Sequence, residues 1–225
     1  MGVAENTAEI KARIAQAAKR AGRSQADVTL IGVTKTVEPP AIAALMAAGV
    51  YALGENRVQE LLRKYGEPTL AGAEWHLIGH LQTNKAKYIV DKAALIHSVD
   101  SSKLAAEIDR RAARRVDVLV EINIADEPSK HGVCPQAAEA LVAEICRFEH
   151  IRVRGLMCVA PFVANPAENR AFFEKMRKIF IDIRRKSLDN GYMDILSMGM
   201  TNDFEVAIEE GATMVRVGTG IFGSR

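Results

Sequence analysis

The sequence predicts a single (β/α)8 barrel of the TIM type, in which eight parallel strands are each followed by a helical segment. Short β-rich runs alternate with alanine-rich stretches of helical length along all 225 residues, as in a series of β-then-α units. Several runs are almost continuously apolar, such as Val118–Ile122, which is typical of strands covered on both faces. A chain of this length can bury one full core, and we predict one domain over residues 1–225.

The predicted elements follow one another in a regular order. An extra N-terminal helix, from about Ala4 to Ala21, precedes the first strand. Pro39 and Pro40 begin the helix after that strand, and Gly49 ends it. The eight predicted strands are Val28–Lys35, Ala52–Asn56, Glu74–His80, Leu95–Asp100, Asp117–Ile124, Arg152–Ala160, Ile195–Met200 and Met214–Phe222.

A doubly wound open sheet is the alternative fold, because a strand count from sequence can be wrong by one or two. That fold would be favoured by a glycine-rich dinucleotide fingerprint after the first strand. The segment there, GVTKTVEPP, has only one glycine. The barrel is therefore preferred, and we expect no second domain after the last strand.

Composition narrows the functional classes. The chain has 30 lysines and arginines against 28 acidic residues, a net charge of +2, so we expect neither a nucleic-acid nor a membrane partner. Cys134, Cys146 and Cys158 form neither a disulfide framework nor a metal pair. No apolar run is long enough to span a bilayer, and the early acidic residues are unlike a secretory signal. We expect a cytoplasmic protein.

Polar residues that are unusual in buried strands gather at the predicted strand ends. In such a barrel, these carboxyl ends meet at one mouth, where the chemistry takes place. The residues are Lys35, Asn56, His80, Asn123, Thr201 and Arg216. We expect them to surround a common site.

Lys35 ends the first predicted strand and shares a face with Ile31 and Val33. If that face is the barrel interior, the ammonium lies among apolar groups that disfavour its charged form. A lysine that is easily made neutral can form an imine with a carbonyl ligand. The alternative is that its side chain simply extends from the strand end into solvent.

Two phosphate-type loops follow the last two predicted strands. The glycines of the segment 218–220 allow backbone amides to approach an anion, and barrels of this kind frequently bind phosphate at this position. Thr201 and Asn202 precede a helix that begins near Asp203, where a hydroxyl and a helix N-terminus add donors. Arg216 faces the same mouth, either as the partner of a ring nitrogen or in a salt bridge inside the barrel.

No metal site is predicted. His76 and His80 share a face of the third predicted strand but stand about 13 Å apart, so structural or hydrogen-bonding roles are favoured for both. Ser197 has no identifiable histidine partner, and we see no nucleophile–base pair.

Segments along nearly the whole chain, from Val28 to Gly223, resemble the pyridoxal phosphate homeostasis protein family in order and spacing. They are VTKT, GENRVQE, WHLIGHLQTNKAKYIV, HSVDS, NIADEPSKHGV, RGLMCVAP and SMGMTNDFEVAIEEGATMVRVGTGIFG. The resemblance implies an alanine racemase N-terminal-domain-like barrel with pyridoxal 5′-phosphate (PLP) at its mouth.

The resemblance also implies which residues bind the cofactor. Lys35 would form the imine, Asn56 would lie beside the ring, and Arg216 would contact the pyridine nitrogen. The phosphate contacts fall on the two loops described above. The predicted cofactor-binding residues are Lys35, Asn56, Met200, Thr201, Arg216, Gly218 and Thr219. Lys130 is either a second aldehyde-binding lysine or an ordinary exposed loop lysine.

The same resemblance implies a carrier more than an enzyme. An alanine racemase needs a base on each face of its substrate, and the second comes from another domain, which we do not expect here. We therefore predict a monomer that binds PLP, acts in intracellular vitamin B6 homeostasis and supply without robust catalysis, and has apo PLP-dependent enzymes as candidate partners. The alternatives are a PLP-dependent racemase or decarboxylase and a cofactor-free Schiff-base aldolase.

Overall fold

The computed structural model describes residues 2–223, in which eight parallel strands close into a barrel in chain order. The last strand pairs back to the first, with Ile31 opposite Arg216. The strands are β1 Thr29–Val33, β2 Ala52–Glu55, β3 Glu74–Leu77, β4 Leu95–Val99, β5 Val116–Ile122, β6 Ile151–Cys158, β7 Gly191–Met200 and β8 Met214–Val217. The predicted barrel is confirmed, and the doubly wound open sheet is wrong.

Helices surround the barrel on its outer side. They are α1 Val3–Arg20, α2 Pro39–Ala47, α3 Val58–Tyr65, α4 Ser102–Arg111, α5 Ala138–Ile145, α6 Arg170–Arg184, α7 Phe204–Glu209 and α8 Thr219–Phe222. The connection between β3 and β4 departs from the expected pattern, because it contains a 3₁₀ segment, Thr83–Tyr88, instead of an α-helix.

Seven of the eight strands end earlier than predicted, β7 being the exception, and three of these ends matter for the site. The first strand ends at Val33, so Lys35 lies on a turn beyond it. The third ends at Leu77, which leaves His80 in the following loop. The last strand ends at Val217, because the backbone turns at Gly218 and starts the short helix α8 inside the segment that was expected to be strand.

Apolar side chains fill both sides of the strands. The outward-facing positions pack with the helices into one continuous core, to which Leu53, Val118 and Val120 belong. A smaller cluster comprises Leu95, Leu119, Met157 and Ile195, with Met214 packed against it. Alternation of side chains along each strand thus separates the two sets.

Helix α1 fastens the beginning of the described chain to its end. It packs against α7 and α8. Arg13 lies 2.8 Å from Glu205 in an ion pair, and the Asn6 side chain donates a hydrogen bond of 2.9 Å to the Ile221 carbonyl. No helix within residues 2–223 is both long enough and apolar enough to cross a membrane.

Candidate functional site

A cavity of about 440 Å³ opens at the carboxyl ends of β1, β7 and β8. It is lined by Val33, Lys35, Phe162, Met200, Thr201, Asn202, Arg216, Gly218 and Thr219. Six of the seven predicted cofactor-binding residues therefore meet here. The seventh, Asn56, lines an adjoining cavity of about 320 Å³ that also has Lys35 on its wall. A larger cavity, of about 700 Å³, lies beside Thr29 and Glu74 at the opposite end of the barrel, where this fold does not place its chemistry.

Lys35 stands at the rim of the cavity, and its side chain is exposed. Of the two possibilities that the sequence left open, the structure agrees with an exposed side chain, because β1 ends at Val33 and the backbone turns at Lys35 and Thr36. Thr36 has a φ of 59°, in the left-handed region that few non-glycine residues adopt. The amine thus comes from a tight turn at the strand end.

A buried ion pair holds the backbone that leads into this turn. The Lys64 ammonium donates hydrogen bonds to the Thr34 carbonyl at 2.8 Å and to Glu55 Oε1 at 2.6 Å. The Thr34 hydroxyl donates to the same carboxylate oxygen at 2.7 Å. Lys64 and Glu55 are almost completely buried, so water does not compete for these bonds. The position of the turn is therefore fixed from the outer side of the barrel.

The two predicted phosphate loops converge on one hydroxyl. The backbone amides of Gly218 and Gly220 point at Thr201 Oγ1, at long donor–acceptor distances of 3.3 and 3.5 Å. A Cβ at position 220 would lie 3.2 Å from the Thr201 methyl group, so a glycine there keeps the two loops close. Asp203 fixes the other side of the Thr201 loop by accepting a hydrogen bond of 2.7 Å from the Met200 amide. Amides and a hydroxyl in this arrangement can bind an anion.

Arg216 is buried in the barrel interior and reaches the cavity. Its guanidinium donates to Ser197 Oγ at 2.6 Å and to the Cys158 carbonyl at 2.8 Å. Among residues 2–223 it forms no salt bridge with a carboxylate, which removes one of the two interpretations offered by the sequence. Burial lowers the pKa of Arg216 from its ordinary value, with nearby anionic groups opposing the shift.

A series of buried polar residues extends inward from Arg216; the hydrogen-bonding role favoured for His76 is confirmed, and His97 is the member that the sequence analysis missed. Ser197 Oγ lies 3.1 Å from His97 Nδ1, and His97 Nε2 lies 2.9 Å from His76 Nδ1. The statement that Ser197 lacks a histidine partner is therefore wrong. Burial lowers the pKa of His76 to about 4 and that of His97 well below its ordinary value. Both rings are neutral at physiological pH, so His97 holds Ser197, and through it Arg216, by hydrogen bonds without adding charge.

Glu121 is a further titratable group that the sequence analysis missed, and it lies at the mouth. It is buried on β5, and one of its carboxylate oxygens has no hydrogen-bond partner within the described chain. Burial raises its pKa to about 7, the charge of Asp100 adds to the shift, and Arg216 opposes it. Glu121 lines a cavity of about 220 Å³ together with Lys130 and His131. Lys130 forms an ion pair of 2.5 Å with Glu127 of its own loop.

Residues 6–225 match the family model described as alanine racemase, N-terminal domain. A pyridoxal phosphate homeostasis protein of Aquifex aeolicus is 43% identical over 100% of this chain and 99% of its own length. The structure of PipY from Synechococcus elongatus, solved with PLP bound, is similar with a TM-score of 0.84 and 35% identity, covering 98% of this chain and 100% of that one.

A more distant neighbour shows how widely the fold is used. The alanine racemase of Corynebacterium glutamicum has a TM-score of 0.73 at 19% identity, over 99% of this chain and 61% of that one. At this identity the likeness concerns the fold alone.

Proposed function

Because the chain belongs to the pyridoxal phosphate homeostasis protein family, we propose that it holds PLP as an imine on Lys35 and serves vitamin B6 homeostasis and supply. One observation of the structure supports this most directly. A primary amine, a buried guanidinium and two phosphate-type loops line one cavity of about 440 Å³. A structural relative of 35% identity was solved with PLP bound.

The residues around the cavity fit the chemical groups of PLP. Lys35 offers the amine for the aldehyde carbon, and the amides of Gly218 and Gly220 with the Thr201 hydroxyl offer donors for the phosphate. Arg216 offers a guanidinium cation that would face the pyridine nitrogen and would disfavour protonation of that nitrogen. When bound, PLP supplies an electrophilic carbon and an electron-withdrawing ring.

We further propose that the protein acts as a carrier without robust catalysis. Among residues 2–223, the lining of this cavity has Lys35 as its one ordinary proton-transfer group and includes no carboxylate, imidazole, phenol or thiol. Racemisation requires such a group on each face of the substrate. An arginine at the ring nitrogen also makes the ring a weaker electron sink than an acidic partner would. The missing second proton-transfer group carries the preference for cofactor storage, and the arginine only adds to it, because racemases tolerate an arginine at this position.

The covalent attachment can be tested on the purified protein. We expect a yellow protein that loses its visible absorbance on borohydride reduction, with the added mass on the peptide that contains Lys35. Lys35→Ala should abolish this absorbance but leave weak, phosphate-dependent binding, because the loops and Arg216 remain. Lys186→Ala, which changes an exposed lysine paired with Glu139, should behave as wild type. Tight retention of coloured cofactor by Lys35→Ala would show that another lysine holds it.

Arg216→Glu tests the contact with the ring nitrogen. It places an anion in the buried interior near the phosphate loops, so we expect weaker PLP binding than in Lys35→Ala. Equilibrium dialysis against PLP compares the two variants. Binding by Arg216→Glu that equals wild type would contradict the assignment.

The carrier proposal includes a cytoplasmic monomer that passes PLP to apo PLP-dependent enzymes. A transfer assay to an apo transaminase tests the supply role, and sedimentation tests the monomer. Racemisation or decarboxylation at ordinary enzyme rates, or sugar-phosphate cleavage by a colourless protein, would favour the enzymatic alternatives.

A further inference from the structure

A second group of chemically active side chains lies at the mouth of the barrel, outside the cavity assigned to PLP. His80 follows β3, Asp100 follows β4, and His131 lies in the loop after β5. Each offers one ligand atom, and these atoms all lie within 4.8 Å of one another. The His80 Nδ1 to Asp100 Oδ2 distance is 3.6 Å, and the two imidazole rings stack with centroids 3.7 Å apart. The segments that follow three successive strands thus bring these residues together at the mouth of the barrel.

We propose that His80, Asp100 and His131 bind a divalent transition-metal ion, with zinc as the best-fitting member of this class. Imidazole nitrogens suit zinc, nickel and copper, and a single carboxylate completes a donor set that zinc accepts. A calcium or magnesium ion would require mainly oxygen ligands. Three protein ligands leave one coordination position open for water or for an external ligand.

The side chains must close slightly around the ion. A metal lies near the plane of each imidazole that binds it, so the two rings, whose planes are now only 10° apart, must rotate out of their stack. Ligand atoms about 2.0–2.2 Å from zinc stand roughly 3–3.5 Å from one another. His131 is exposed on its loop and the His80 side chain is 35% exposed, so both rings can rotate without disturbing the core.

Glu121 supplies a further acceptor beside this group. It is nine-tenths buried, one of its carboxylate oxygens has no hydrogen-bond partner in the described chain, and it lines the same cavity of about 220 Å³ as His131. A water or ligand at the open metal position would find in Glu121 the hydrogen-bond acceptor that metal sites commonly provide beyond their direct ligands. A carboxylate left unpaired at such depth is otherwise costly.

The test uses the full chain without an affinity tag, with metal ions alone as the probe. Titration with Co²⁺ should give one equivalent of binding with visible ligand-field bands, and Zn²⁺ should displace it. His80→Ala and His131→Ala should each weaken Zn²⁺ binding at least about tenfold in calorimetry, since even the loss of an indirect partner weakens sites by that factor. Asp100→Asn, which keeps the shape of the side chain, should also weaken it.

His150→Ala is the matched control. His150 Nδ1 lies 3.5 Å from Asp109 Oδ1, so it is also a histidine beside a carboxylate, but it is not part of the three-residue group. Its variant should bind Zn²⁺ as wild type does. Absence of stoichiometric binding by the wild-type chain, or full affinity in both His80→Ala and His131→Ala, would overturn the proposal. An equal loss in His150→Ala would overturn it as well.

Discussion

Replacing Glu121 by glutamine should stabilise the protein in a pH-dependent manner. Glu121 is 9% exposed, and burial raises its pKa from the ordinary 4.5 to about 7. The folded protein therefore holds a proton at pH values where the unfolded chain has released it. For such an acid, stability is lost as the pH rises from the unfolded pKa to the folded pKa, and the loss is then constant. Glutamine has nearly the same shape as glutamic acid, but its amide does not titrate in this pH range.

The size of the effect follows from the two pKa values. The interval from 4.5 to about 7, at about 1.4 kcal/mol for each pH unit, corresponds to about 3 kcal/mol. We expect Glu121→Gln to exceed wild type by about this free energy of unfolding at pH 8, and by less than about 1 kcal/mol at pH 5. Burial lowers the pKa values of His76 and His97, so these two residues make the free energy of unfolding rise with pH, opposite to the effect of Glu121. Both histidines are present in wild type and in Glu121→Gln, so their contribution cancels when the two proteins are compared.

Urea unfolding provides the measurement. Trp75 is the single tryptophan of the chain and is buried, so its fluorescence reports loss of the barrel. Both proteins should be freed of cofactor and kept with a chelator, so that no ligand contributes to stability. Glu74→Gln, which changes an exposed carboxylate at the start of β3, is the control and should stay within about 0.5 kcal/mol of wild type. A pH-independent difference between Glu121→Gln and wild type would refute the reasoning.

Two further predictions concern stability. Lys64→Met should lower the free energy of unfolding by about 3–5 kcal/mol, because it leaves the Glu55 charge buried without a partner. Adding Glu55→Leu should restore most of this loss. A double variant no more stable than Lys64→Met would contradict this prediction. Gly155→Ala should lower the free energy of unfolding by at least about 3 kcal/mol. Gly155 has a φ of 151°, and a Cβ there would lie 1.8 Å from the Ile195 carbonyl oxygen. Gly66→Ala, with open space around its Cβ position, should be nearly neutral in the same urea assay, and a similar result for both glycines would count against the backbone clash.

The barrel could be predicted because its signals are local. Apolar runs, alternating helical stretches and the proline and glycine boundaries of α2 each depend on neighbouring residues only. The residues of the candidate site were found for a related reason. Carboxyl ends of parallel strands meet at one mouth, so Lys35, Thr201 and Arg216 could be placed together from the strand order alone.

The rest depends on contacts between distant parts of the chain. Where β1 ends is decided by the turn at Thr36 and by the Lys64–Glu55 pair, so the sequence placed Lys35 inside a strand that stops short of it. The pairing of β7 with β8 shifts register between Ser197 and Met200. The alternation of apolar and polar residues along a strand does not predict such a shift.

Histidines were the residues that the sequence analysis placed least well. Strand alternation put His76 and His80 on one face, whereas the structure buries the first and brings the second against His131. Both arrangements join residues from different β/α units. Side-chain spacing along one strand carries no information about such partners.

The pairing of β1 with β8 has a consequence for protein synthesis. Lys35 follows the first strand and the glycine loop follows the last, so they become neighbours only when these two strands join. A nascent chain that still lacks β8, or a proteolytic fragment without it, contains Lys35 but not the glycine loop that would retain a phosphorylated aldehyde. If the cofactor is held as proposed, it would be taken up only by chains that have completed folding, and its visible absorbance would report that step.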